Sequence, residues 1–167
     1  MIHPAALPID ELHRYCDVKR TRRGGPGGQH RNKVETAVVV THRPTGLTGQ
    51  AAERRSQDLN SQAAMHRLRV QLALSVRTAV ACDEAPSPLW QVRCQRRKIV
   101  VSAASDDFPA LLAEALDRLA ACQWEVARVA AQFCATTTQF VRFLKLEPRA
   151  LAQLNAARQE KGLRPLQ

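Results

Sequence analysis

The sequence lacks any Cys-x-x-Cys pair, and its five cysteines, at positions 16, 82, 94, 122 and 134, are odd in number. That pattern argues against both a zinc site and a disulfide framework, so reduced and mostly buried thiols are expected. No apolar run approaches the roughly 20 residues of a membrane span, so no membrane partner is expected. The stretch from Met1 to Glu11 has neither a signal-peptide core nor an arginine-rich transit pattern, and the expected compartment is a bacterial-type cytoplasm. No compelling Ser/His/Asp constellation or catalytic carboxylate pair stands out. No cofactor and no metal are expected.

Glycine is scarce as well, with seven in 167 residues. Four of them fall within Gly24-Gly25-Pro26-Gly27-Gly28, followed at once by Gln29 and His30. Each glycine loses more backbone entropy on ordering than any other residue, and in return permits positive φ and close approach to another molecule. Two familiar glycine-rich loops are excluded by spacing. A Walker loop requires Lys-Ser/Thr after its last glycine, where Gln29 and His30 stand, and a dinucleotide fingerprint requires a third glycine where His30 stands. Around the loop, Lys19, Arg20, Arg22, Arg23, Arg31 and Lys33 form a cationic stem with no acidic residue between Lys19 and Lys33.

The string Arg23-x-Gly25-x-Gly27-Gly28-Gln29-His30-x-Asn32-Lys33 resembles the catalytic loop of class I peptide-chain release factors and their ribosome-rescue relatives. The resemblance continues through Thr41-His42-Arg43-Pro44-Thr45-Gly46 and Arg55-Ser56-Gln57-Asp58-Leu59-Asn60, and covers residues from about 9 to 80. Three ordered motifs within about forty residues make it specific.

Basic residues outnumber acidic ones 25 to 15. Both halves of the chain, divided at Pro86, are basic by five, which suits a polyanionic partner. Beside the Gly-Gly-Gln motif, ribosomal RNA and tRNA are the natural polyanions.

The expected fold class is α+β: a small sheet packed by helices with an exposed Gly-Gly-Gln loop, then a mainly helical C-terminal module resembling a helix-turn-helix. Residues 1–81 form the release-factor-like domain in this reading, 82–101 a linker and basic extended segment, and 102–167 the helical module. A short helix over Ile9–Cys16 leads into a strand near Asp17–Arg23. Strands are expected at Glu35–His42 and Leu47–Ala51, turning at Pro44-Thr45-Gly46. A helix from Ser56 to about Val80 would bury Leu59, Ala63, Leu68, Leu72 and Val76, with Arg67, Arg69 and Arg77 elsewhere. Trp90–Val101 is expected to be extended, carrying Arg93, Arg96, Arg97 and Lys98. Helices follow from Asp107-Phe108-Pro109, over Trp124–Phe133, over Thr136–Leu146 with Thr136 or Thr137 as N-cap, and from Pro148 toward Gly162.

The resemblance implies a reaction: hydrolysis of the ester joining the nascent peptide to P-site tRNA on the ribosome. It makes Gly27, Gly28 and Gln29 the catalytic positions. The Gln29 backbone N–H would stabilise the tetrahedral oxyanion, and its neutral side chain would position water rather than serve as a base. Arg20, Arg22, Arg23, Arg31 and Lys33, with Arg96, Arg97 and Lys98, are candidates for RNA phosphates. Arg55, Ser56, Gln57 and Asn60 are expected to cap and fasten a helix, and methylation of Gln29 by a methyltransferase is implied by the same resemblance.

Decoding release factors add a stop-codon-reading domain, for which there is no length before Met1 or between residues 17 and 80, so codon-independent rescue is the expected role. Small rescue factors carry a strongly basic tail, whereas the last twenty residues here hold only Arg149, Arg158, Lys161 and Arg164. A second class remains open: a noncatalytic RNA- or ribosome-binding protein with a helix-turn-helix-like interaction module.

Overall fold

The computed structural model describes residues 2–21 and 37–167. A 3-10 turn, Pro4–Ala6, and a short helix α1, Ile9–His13, precede an antiparallel sheet of β1 (Cys16–Thr21), β2 (Ala37–His42) and β3 (Thr48–Ala51), ordered β1-β2-β3. Helix α2 (Gln57–Ser75) lies on the sheet. Next come α3 (Pro88–Arg93), a small hairpin of β4 (Cys94–Gln95) and β5 (Lys98–Ile99), and four helices: α4 (Phe108–Ala121), α5 (Val126–Gln132), α6 (Thr137–Leu144) and α7 (Pro148–Glu160). This is the expected α+β architecture.

The central strand shows why the sheet has a helix on one face. In β2, Val38, Val40 and His42 are buried while Ala37, Val39 and Thr41 alternate outward, the period of a half-covered strand. Pairing puts Gly49 and Ala51 of β3 on the same inward face, opposite Val40 and Val38. At Gly49 an added Cβ would collide with the Ala64 carbonyl and the Leu68 amide. The absence of that carbon lets the α2 backbone approach the sheet directly.

Helix α2 is covered on two sides, by the sheet and by α4, which changes its expected wheel. Leu59 is exposed, whereas Arg69 is buried and donates to the carbonyls of Ala5 (3.0 Å) and Asp106 (2.8 Å). The helix ends at Ser75 rather than near Val80. There Arg77 turns back onto the carbonyls of Ala73 (2.7 Å), Leu74 (2.8 Å) and Val76, satisfying acceptors the helix leaves open. His3 joins this end: its Nδ1 accepts from the Ala5 amide at 3.0 Å and its Nε2 donates to the Val76 carbonyl at 3.2 Å.

The helical part is held by rings. Trp90 stacks on Phe133 at 4.3 Å between centroids, meets Phe143 edge-on at 5.2 Å, and lies in a cluster with Phe108 and Phe140. Residues 90–93, expected to be extended, are instead part of a helix: Pro88 opens α3, Ser87 caps it, and Trp90 is drawn into the ring cluster. The break at Cys134 has φ +54°, and Thr136 Oγ1 caps α6 by accepting from the Gln139 amide at 3.1 Å.

Cys82 and Cys122 form a disulfide that joins the segment after α2 to the end of α4, against the expectation of five reduced thiols. An odd count leaves room for a pair plus three free cysteines, and Cys16, Cys94 and Cys134 are those three. Among the described residues, no helix is long and apolar enough to cross a membrane and no group of three or more metal-ligating side chains occurs.

Candidate functional site

Thr21 pairs with Ala37 at the last rung of the β1–β2 ladder, so the chain leaves β1 and enters β2 at the same end of the sheet. Gly27, Gly28 and Gln29 fall between these strands, with Arg22, Arg23, Arg31 and Lys33. All seven lie outside the described residues. What the structure describes is the frame on which that segment is mounted.

At the far end of the hairpin, Arg43 is the clamp. Its guanidinium donates to Asp17 Oδ1 at 2.9 Å, to the Cys16 carbonyl at 3.1 Å and to the Arg14 carbonyl, while its amide donates to the Tyr15 carbonyl at 2.9 Å. These bonds tie the residue after β2 to the start of β1. Beside it His42 is buried, with Nδ1 2.8 Å from Thr45 Oγ1, and Gly46 takes φ +70° to close the turn. Burial, with Arg43 nearby, pushes the His42 pKa down. The Thr41–Gly46 motif is thus a structural lock on the hairpin.

The third motif fastens α2. Ser56 Oγ accepts from the Leu59 amide at 3.4 Å, and Asn60 grips the Arg54 backbone on both sides: Oδ1 accepts from its amide at 3.0 Å and Nδ2 donates to its carbonyl at 2.9 Å. This is the capping role expected for Ser56 and Asn60. Arg67 adds a tie the sequence did not suggest, donating to the Gln50 carbonyl at 2.6 Å and pairing with Glu53. The Arg67 hydrogen bond, aided by backbone amides, lowers the Glu53 pKa to about 2. Gly49 and Arg43 were missed too. A glycine inside a strand pattern is the signal that marks close backbone approach; Arg43 carries no such signal.

Of the remaining candidates, Arg20 is exposed on β1. Arg96 and Arg97 are the two central residues of the β4–β5 turn, at φ +48° and +64°, and Lys98 follows on β5. Positive φ at both centres of a two-residue hairpin turn usually selects Asn or Gly. A side chain held there costs on the order of 1 kcal/mol, so the sequence keeps two arginines at a conformationally unfavourable tip.

Comparison with known proteins bears on this frame. A family model described as RF-1 domain matches residues 9–102. The chain belongs to this family. The RF-1 domain match runs from α1 to just past β5; it includes the Gly-Gly-Gln segment and the arginine hairpin and leaves α4–α7 outside. Among its relatives, Peptide chain release factor 1 of Xylella fastidiosa (strain 9a5c) is 42% identical over 91 residues, covering 54% of this chain and 23% of that protein. Peptide chain release factor PrfB1, chloroplastic, of Arabidopsis thaliana is 52% identical over 66 residues, 40% of this chain and 14% of that protein. The chain thus spans less than a quarter of the length of either relative. No solved structure matched the chain.

Proposed function

We propose that this protein hydrolyses the peptidyl-tRNA ester on the ribosome and does so without reading a codon, as a rescue factor. One observation carries the reading: the Gly27-Gly28-Gln29 motif and its basic flanks lie inside the span, residues 9–102, that matches the RF-1 domain, and the chain is 42% identical over 91 residues to a peptide chain release factor.

The chemistry follows from the residue types. Water attacks the ester carbonyl, a C–O bond forms, and a tetrahedral oxyanion develops. As it collapses, the bond to the ribose oxygen breaks and the tRNA leaves with a proton on its terminal hydroxyl. Gly27 and Gly28 bring no Cβ to the reacting centre, so the Gln29 amide can reach the oxyanion. A donor in that role is commonly worth about 3–4 kcal/mol. The carboxamide of Gln29 is neutral and orients water. Arg20, Arg22, Arg23, Arg31 and Lys33 hold RNA phosphates beside it. Gln29 is also the position at which a methyltransferase would act.

The deciding experiment measures release of labelled peptide from P-site peptidyl-tRNA on purified ribosomes with an empty A site, a stop codon or a sense codon. Release on the empty A site that collapses in Gln29→Ala is the expected result. Release confined to the stop codon overturns rescue but leaves hydrolysis. Ribosome binding without release in any arm overturns hydrolysis in favour of a noncatalytic binding role.

A further inference from the structure

Outside the Gly-Gly-Gln segment, the strongest unassigned feature is a cationic surface built by two elements distant in sequence. Helix α6 packs against β5, and the Cys94 thiol reaches the Cys134 carbonyl at 3.5 Å, which anchors the arginine hairpin to the α5–α6 turn. Between hairpin and helix runs an open groove of about 620 Å³, with Lys98 on one wall, Gln139 and Arg142 on the other, and Ser102 and Ser105 also lining it. Along α6 and the residue that follows it, Thr138, Arg142 and Lys145 recur at i, i+4 and i+7 and are exposed, one outward stripe. Arg142 borders both the groove and a second hollow shared with Thr137, Thr138 and Lys145.

The charge on this surface is not compensated. Neighbouring cations are paired, Arg93 with Asp107 and Arg149 with Glu147. Arg96, Arg97, Lys98, Arg142 and Lys145 are exposed and make no ion pair among the described residues. Neither residues 94–101 nor residues 126–146 contain an Asp or Glu. Five unneutralised cations interleaved with hydroxyls and one amide suit the phosphodiester backbone, which is recognised by charge and hydrogen-bond donors rather than by a base code.

The ring cluster decides between single and double strands. Single-strand binders stack bases on exposed aromatic side chains, but Trp90, Phe133, Phe140 and Phe143 are all buried beneath this surface. We infer that the β4–β5 hairpin and the exposed face of α6 form one site for the backbone of double-helical RNA. The choice of RNA rests on the ribosomal role proposed above. The surface itself is drawn from residues 96–98 and 138–145, far in sequence from the Gly-Gly-Gln segment.

The test uses the full chain and a labelled RNA duplex of about 16 base pairs, with affinity followed by anisotropy as salt is raised. Five phosphate contacts give a slope of log K against log salt of about −4.5. The double variants Arg96→Gln/Arg97→Gln and Arg142→Gln/Lys145→Gln each flatten that slope by about 2, and Gln29→Ala leaves it unchanged. The four substituted side chains have no ion-pair partner among the described residues, and a melting curve for each variant checks the fold. Wild-type affinity and slope in either double variant overturn the site. Equal binding of a DNA duplex of the same length overturns the assignment to RNA, and displacement by polyglutamate at matched charge points instead to an acidic protein. The two readings fail separately: release that survives Gln29→Ala removes the catalytic loop and leaves this surface standing, whereas duplex binding indifferent to both double variants does the reverse.

Discussion

The sheet with α2 and the helices from α3 onward solve the same packing problem with different materials. The sheet side has no buried aromatic residue among those described: its interior is Val38, Val40, Ala51, Ala64, Met65 and Leu68, with Gly49 admitting the α2 backbone. The helical side gathers all four phenylalanines and Trp90 into one cluster. Small residues at close range fix the distance between sheet and helix and the register of the strands. Rings fill the irregular volume between short helices whose own propensity would not hold them. The first half is set by backbone approach, the second by side-chain volume.

The largest effect should come from emptying the ring cluster. Phe140 is fully buried and meets Trp90, Phe133 and Phe143, so Phe140→Ala is expected to cost about 4 kcal/mol. Urea denaturation measures it, and a loss below about 1 kcal/mol would mean the cluster can collapse onto the gap and the contrast with the sheet is false. The disulfide comes next, because it stitches the two sides together. Closing a 40-residue separation is worth up to about 4 kcal/mol by loop entropy; Cys82→Ser with Cys122→Ser is expected to lose about 3. An unchanged midpoint would show that the helices are held by rings alone. Gly49→Ala follows, at about 2–3 kcal/mol, since the new Cβ meets α2 backbone and not a side chain that could swing away. A neutral outcome would remove close approach as the organising feature of the sheet side.

These particulars also mark what the sequence could and could not convey. Caps are local, so Ser56 and Thr136 were legible, as was the break at Cys134. The alternation in β2 carried the sheet. The exposed Leu59 and buried Arg69 were not legible, because a helical wheel assumes one covered face and α2 has two. The disulfide escaped because counting cysteines measures parity, not distance. Helix α3 was hidden by its charged neighbours, and what places it is Trp90, whose partners lie some forty to fifty residues onward. The candidate site was legible only as a motif: composition marks Gly27, Gly28 and Gln29, while the clamp across the β1–β2 hairpin, Arg43, is defined by backbone carbonyls that no sequence pattern shows.

The smallest predicted effect separates the two sides by pH. His3, against the end of α2, and His42, under the sheet, both have pKa values lowered, chiefly by burial. The folded state therefore holds them neutral, and the unfolded state takes up protons first as pH falls through about 6.5. Their contribution is complete above that value and is lost below it, at no more than about 1.4 kcal/mol per pH unit for each. On the helical side the sign reverses. Burial raises the Glu114 pKa despite the Ser87 amide it accepts from at 2.8 Å, so the folded state binds that proton more readily and acidification toward the ordinary carboxylate range favours folding there. Urea midpoints should thus fall between pH 7.5 and 6 in the parent chain. The fall should shrink in His42→Asn, and Glu114→Gln should leave it untouched while steepening the decline nearer pH 5, because that variant no longer gains from acidification. If Glu114→Gln instead abolishes the fall above pH 6, the titrating group is on the ring-packed side and the division drawn here between the two halves is misplaced.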